Sequence, residues 1–160
     1  MKNIFTLMAL FVALTISAQA QKLGHVETQA LLETLFVNSD IQANLQKMEL
    51  EYQGTIQELV TKIQNLEVEL QNTNLTEGQR IDKENQIKLE YENYQSQLQY
   101  ADQDLQGYLQ QENDKLAKQI IDAVDAVGKE RGYTYIFSSD AIIYSNGDNL
   151  TEFVKTKLGL

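Results

Sequence analysis

Residues 71–78, QNTNLTEG, decide the fold, because they interrupt two long apolar patterns that mirror each other. Before the break, apolar residues stand at Ile41, Leu45, Met48, Tyr52, Ile56, Leu59, Ile63, Leu66 and Leu70, in steps of 4-3-4-4-3-4-3-4. Such steps keep side chains on one helix face, and the run is a heptad with one stutter. After the break a second run, Ile87, Tyr91, Tyr94, Leu98, Ala101, Leu105 and Tyr108, steps 4-3-4-3-4-3. It continues through Leu109, Leu116, Ile120, Val124 and Val127. The chain contains no proline, so nothing breaks either helix from within.

Residues that face each other in an antiparallel helix pair have position numbers with a constant sum. Here 63 with 87, 59 with 91, 56 with 94, 52 with 98, 45 with 105 and 41 with 109 all sum to 150. The mirror point is Leu75, inside the polar break. The pattern predicts an antiparallel α-helical hairpin, a coiled-coil arm, over residues 41–109 with its tip near 73–78. Thr76 and Gln79 are spaced as a capping box for the returning helix, as Ser39 and Gln42 are for the outgoing one. Each arm would be about 45–50 Å long at about 1.5 Å per residue.

Outside the arm the pattern changes. Lys22 to Val26 reads as a short strand and Glu27 to Phe36 as a short helix. Gly128 to Gly132 (GKERG) is a helix stop. Tyr133 to Phe137 (YTYIF) and Ala141 to Tyr144 (AIIY) are β-branched and aromatic, and read as two strands joined by a tight loop at Ser138-Ser139-Asp140. Asn146-Gly147-Asp148 is a further turn, and Asn149 with Glu152 can cap a closing helix. The fold class is therefore α+β: a small β-rich body, residues 21–40 and 110–160, carrying a long helical arm. A body of about 70 residues buries too little surface to stand comfortably alone. The expectation is a homo-oligomer whose body strands, with Leu23, Val26, Tyr135, Ile136, Phe137, Ile142 and Ile143, make a shared core.

Met1 to Ala20 reads as a secretory signal peptide: a positive start, an apolar run from Ile4 to Ile16, and alanines at 18 and 20 before the cut. The run is too short to span a bilayer. The absence of cysteine excludes acylation at the cut and any disulfide. Without the signal the chain carries 12 basic and 23 acidic residues, which argues against nucleic acid and anionic lipid as partners.

No constellation for catalysis stands out: there is no glycine-rich phosphate loop, nucleophile motif or metal cluster, and no cofactor is implied. His25 and Glu27 point to one side of a strand but are only two ligands, where zinc takes three or four. The acid pairs Glu67/Glu69 and Asp102/Asp104 are spaced as solvated surface. Asn74-Leu75-Thr76 and Asn149-Leu150-Thr151 fit the glycosylation tripeptide, a pattern common by chance. Gly54 and Gly107 weaken the arm helices by about 1 kcal/mol each relative to alanine, and they are candidates for arm flexibility.

The returning arm is unusual in its tyrosines. Tyr52, Tyr91, Tyr94 and Tyr108 fall on the seam and Tyr100 falls off it. Tyrosine offers a large apolar surface with a polar tip at low entropy cost, which suits weak contacts with varied partners. These five are the candidate contact residues.

The order of elements, with KLGHVETQALL at 22–32 and VGKERGYTYIFSSDAIIYSNGDNLTEFVKTKL at 127–158, resembles the Skp (OmpH) family of periplasmic chaperones. The resemblance implies a homotrimer with a β-rich body and three helical arms around a cavity. It also implies a periplasmic, ATP-independent holdase that cages unfolded outer-membrane proteins between the arms and prevents their aggregation. The chain departs from the family in charge: the best-known relatives are basic, while residues 41–109 here hold 12 acidic and 5 basic residues. That departure argues against direct membrane or lipopolysaccharide binding. The alternative is a structural or adaptor coiled coil of the cell envelope.

Overall fold

The computed structural model describes residues 21–160, so the signal peptide expected over 1–20 lies outside the described residues. The described chain is mostly helical with a small three-stranded sheet. Its elements are β1 (Leu23–Val26), α1 (Thr28–Val37), α2 (Ile41–Leu70), α3 (Glu77–Arg131), β2 (Tyr135–Ser138), β3 (Asp148–Asn149) and α4 (Thr151–Leu158). Of these residues, 21–33 and 118–160 form one compact unit and Thr34–Ala117 the other.

The first unit is built on β1, which is central in the order β2-β1-β3 and parallel to both neighbours. Val26, Leu31, Ile120, Val127, Leu150 and Val154 form its core, with Leu31, Leu150 and Val154 at 0% exposure. Gly24 is required there. A Cβ at that position would sit 2.7 Å from Leu150 Cδ1 and 3.1 Å from Tyr133 Cε1. Helix α3 ends at Gly132, whose φ of 70° is the left-handed region that glycine enters freely. The Tyr133 amide then donates back to the Gly128 carbonyl at 3.0 Å, closing the helix end.

Two expectations for this unit fail. Ala141 to Tyr144 is not a strand: Ser139–Ala141 is a 3-10 turn, and the third strand is Asp148–Asn149. Ile142 and Ile143 therefore lie outside the sheet, and Ile143 is fully exposed. After β2 the chain does not double back along the outer edge of β2, as a hairpin would require, but turns across the end of β1. The turn is tied to the end of β1, Ser139 Oγ donating to the Val26 carbonyl at 3.0 Å and the Ser138 and Thr28 hydroxyls meeting at 2.6 Å.

In the second unit, the residues of α2 shielded from water are the seam positions Ile41, Leu45, Met48, Tyr52, Ile56, Leu59, Ile63, Leu66 and Leu70, with Val60 beside them. Helix α2 contacts α3 through Asn44 with Tyr108, Tyr52 with Asp104, Lys62 with Glu90 and Leu70 with Arg80. Partner numbers fall along α3 as they rise along α2.

The capping box at Thr76 and Gln79 forms reciprocally: the Thr76 amide donates to Gln79 Oε1 at 2.9 Å, and the Gln79 amide to Thr76 Oγ1 at 3.3 Å. The one expected at Ser39 and Gln42 does not. Ser39 Oγ donates to the Phe36 carbonyl at 2.7 Å, where it closes the end of α1. Seam positions Tyr91 and Leu98 remain 45% and 41% exposed. One helix covers only a narrow face of its neighbour, so a seam between two helices cannot enclose its own residues.

Candidate functional site

Tyr52, Tyr91 and Tyr108 of the second unit are held by their polar tips. Tyr52 Oη donates to Asp104 Oδ2 at 2.7 Å, and Tyr91 Oη to Glu67 Oε1 at 3.0 Å. Asn44 Nδ2 donates to Tyr108 Oη at 3.1 Å. Each bond crosses between α2 and α3, so these rings are positioned without being enclosed. The hydrogen bond to Asp104, next to that carboxylate's charge, pushes the Tyr52 hydroxyl up to about 12. The Glu67 carboxylate raises Tyr91 in the same direction for the same reason. In both cases the anion prefers a neutral hydroxyl that can donate to it.

Helix spacing brings some of the five together and leaves one apart. Tyr52 and Tyr100 meet edge to face with centroids 6.1 Å apart, and Tyr100 is 56% exposed. Tyr91 and Tyr94 line one open groove with Val60, Ile63, Gln64 and Glu67. Tyr108 stands away from both pairs, at its bond to Asn44.

Gly54 and Gly107 both face open space, so no close approach demands glycine at either place. Glu67, Asp104 and Asn44 were not expected as partners. Each lies one residue from a seam position (Leu66, Leu105 and Leu45), which is where a tyrosine reaching across the seam ends. The acids expected to be merely solvated are thus bonded: Glu67 and Asp104 to tyrosines, Glu69 to Lys83, and Asp102 to Gln106.

The first unit has a second open surface. In the parallel register Leu23 is opposite Tyr135 and His25 opposite Phe137, so these four share one sheet face. Tyr135 and Phe137 stack with centroids 6.1 Å apart and are 54% and 47% exposed. Val26 and Ile136 point the other way, toward the core and the helix, where Ile136 Cδ1 closes on Gly128. Parallel sheets ordinarily have both faces covered, and here one is open.

A family model for outer membrane proteins (OmpH-like) matches residues 22–158. The chain belongs to the OmpH-like family. A chaperone protein Skp from Yersinia enterocolitica is 26% identical to it over 143 residues, covering 87% of this chain and 86% of that protein.

In this OmpH-like chain the remaining candidates resolve into structure. His25 Nδ1 lies 3.2 Å from Ser145 Oγ, and Glu27 Oε1 accepts from Asn149 Nδ2 at 3.1 Å. Among the described residues no cluster of three or more His, Cys, Asp or Glu side chains could hold a metal ion. Asn149 is committed on both ends of its amide, since its Oδ1 also accepts from the Thr151 amide at 2.9 Å. That bond opens α4 in place of the expected Asn149–Glu152 box, while Glu152 pairs with Lys155 and raises that lysine. No described helix is long and apolar enough to cross a membrane.

Proposed function

We propose that this chain is an ATP-independent holdase of the periplasm, exported by a signal peptide cleaved after Ala20. In this reading residues 41–109 form an antiparallel coiled-coil hairpin with its tip near 73–78. Residues 21–40 and 110–160 form a body that is completed as a homotrimer. The three arms cage unfolded outer-membrane proteins and keep them from aggregating. Tyr52, Tyr91, Tyr94, Tyr100 and Tyr108 supply client contacts, and Gly54 and Gly107 let the arms adapt.

One observation carries the reading: Tyr91, pinned at its tip by Glu67, and Tyr100 are about half exposed, an aromatic surface suited to weak contacts with varied segments. Membership in the OmpH-like family and similarity to a protein named a chaperone support it. Trimerisation is supported by the open aromatic sheet face and by Ile143 and Tyr144, which are 107% and 83% exposed. Large apolar side chains left in water on one chain mark a contact surface. Three arms on one body would multiply weak contacts into useful avidity.

The test dilutes an unfolded outer-membrane barrel protein into buffer with and without the mature chain. Aggregation by light scattering and complex mass are followed together. Suppression with a stoichiometric complex is expected; aggregation unchanged and no complex would refute the holdase. A folded monomer at micromolar concentration would refute the trimer separately.

A further inference from the structure

The groove between α2 and α3 near the C-terminal end of α2 is a shaped site. Val60 and Ile63 line it with apolar carbon, Tyr91 and Tyr94 add aromatic rings, and Gln64 and Glu67 add polar groups. At about 250 Å³ it admits one long side chain.

 The arm groove measures about 250 Å³, below the ~300–1,000 Å³ typical of small-molecule pockets.

The chemistry of that lining selects its occupant. Aromatic faces and a carboxylate beside an aliphatic wall suit a lysine or arginine side chain, whose stem packs on carbon while its charge meets the anion. The Glu67 carboxylate accepts one bond from Tyr91, and a hydroxyl does not neutralise its charge. The surroundings add to the attraction, with 12 acidic and 5 basic residues between 41 and 109. Lys47, Lys62 and Lys83 are already paired with Glu51, Glu90 and Glu69. A second copy of this acidic arm would be repelled from the groove, as would an acidic client segment.

We propose that the groove at Glu67, Tyr91 and Tyr94 receives lysine or arginine side chains of unfolded client segments, so that the arm favours cationic segments over acidic ones. The proposal rests on the holdase reading and names the chemistry of its clients. The probe is a labelled, unstructured peptide rich in leucine, tyrosine and lysine, compared with the same peptide carrying glutamate for lysine. Binding to the full mature chain is followed by fluorescence anisotropy at low and physiological salt.

The lysine peptide is expected to bind more tightly, with the preference shrinking as salt rises. Glu67→Gln keeps an acceptor for the Tyr91 hydroxyl, so the helices stay paired, which circular dichroism checks. It should weaken the lysine peptide about two- to five-fold, the scale of one exposed ion pair, and leave the glutamate peptide unchanged or slightly tighter. Equal binding of the two peptides, or no effect of Glu67→Gln on the lysine peptide, overturns the inference. If aggregation of the barrel protein is still suppressed in that case, the holdase reading stands without it. If neither peptide binds and aggregation is unsuppressed, both fall.

Discussion

Replacing Gly54 and Gly107 with alanine is expected to stiffen the arm by an amount that follows from helix propensity alone. Both glycines lie inside helices, and a Cβ at either meets nothing within 4 Å. No clash then offsets the gain, which is about 1 kcal/mol at each site. Gly107 adjoins Tyr108, whose partner Asn44 lies ten residues before Gly54. At about 1.5 Å per residue the two sites are about 15 Å apart along the helices, far enough for the effects to add. The double variant should gain about 2 kcal/mol, which slows amide exchange through local opening of the arm by about thirty-fold. Hydrogen exchange read by mass spectrometry on arm peptides measures this directly, with body peptides as the internal control. Unchanged or faster exchange in the arm would refute the reasoning. If exchange slows but clients of every size are held as before, the glycines are tolerated and do not serve adaptation.

Three further outcomes follow from particular contacts. Gly24→Ala forces a Cβ to 2.7 Å from Leu150 Cδ1 and should destabilise the first unit by about 1–3 kcal/mol in urea unfolding, through overpacking. Ile143→Asp places charge on a fully exposed apolar side chain, so it should leave the single-chain fold intact while lowering the assembled mass in light scattering. Tyr52 is raised above its ordinary value of 10.0, to about 12, by its bond to Asp104. The stability from that bond is therefore complete below pH 10 and is lost as pH rises through about 12; a spectrophotometric titration should lose its latest tyrosine step in Tyr52→Phe.

The long helices were legible because their signal repeats. Nine seam positions on α2 share one spacing, and chance does not sustain that over 30 residues. The sheet offers no such repetition: its strands have four, four and two residues, too few to show a period. Its pairing is also remote, with Leu23 opposite Tyr135, and nothing local to either strand encodes that partner. AIIY carries strong β propensity, yet the 3-10 turn at Ser139–Ala141 leads it away from the open edge of β2, and propensity yields to topology. The capping boxes divide for a similar reason. The Thr76 hydroxyl donates to Gln79 Oε1 within the box, whereas the Ser39 hydroxyl donates to the Phe36 carbonyl at the end of α1.

The tyrosine seam joins these threads. Leucine in the place of Tyr52, Tyr91 and Tyr108 would pack the helices by apolar contact alone and would leave Asp104, Glu67 and Asn44 to water. Tyrosine instead places a hydrogen bond at the flank of the seam on the neighbouring helix, and the ring stands along its rim. The pair of helices is thereby held at its edges as well as its centre, which matters where only two helices meet and neither can be enclosed. The same geometry leaves aromatic surface facing water beside carboxylates, as at Tyr91 with Glu67. Holding the helices together and presenting an open aromatic surface beside carboxylates are thus two consequences of one choice of residue, so replacing Tyr91 by leucine should alter both.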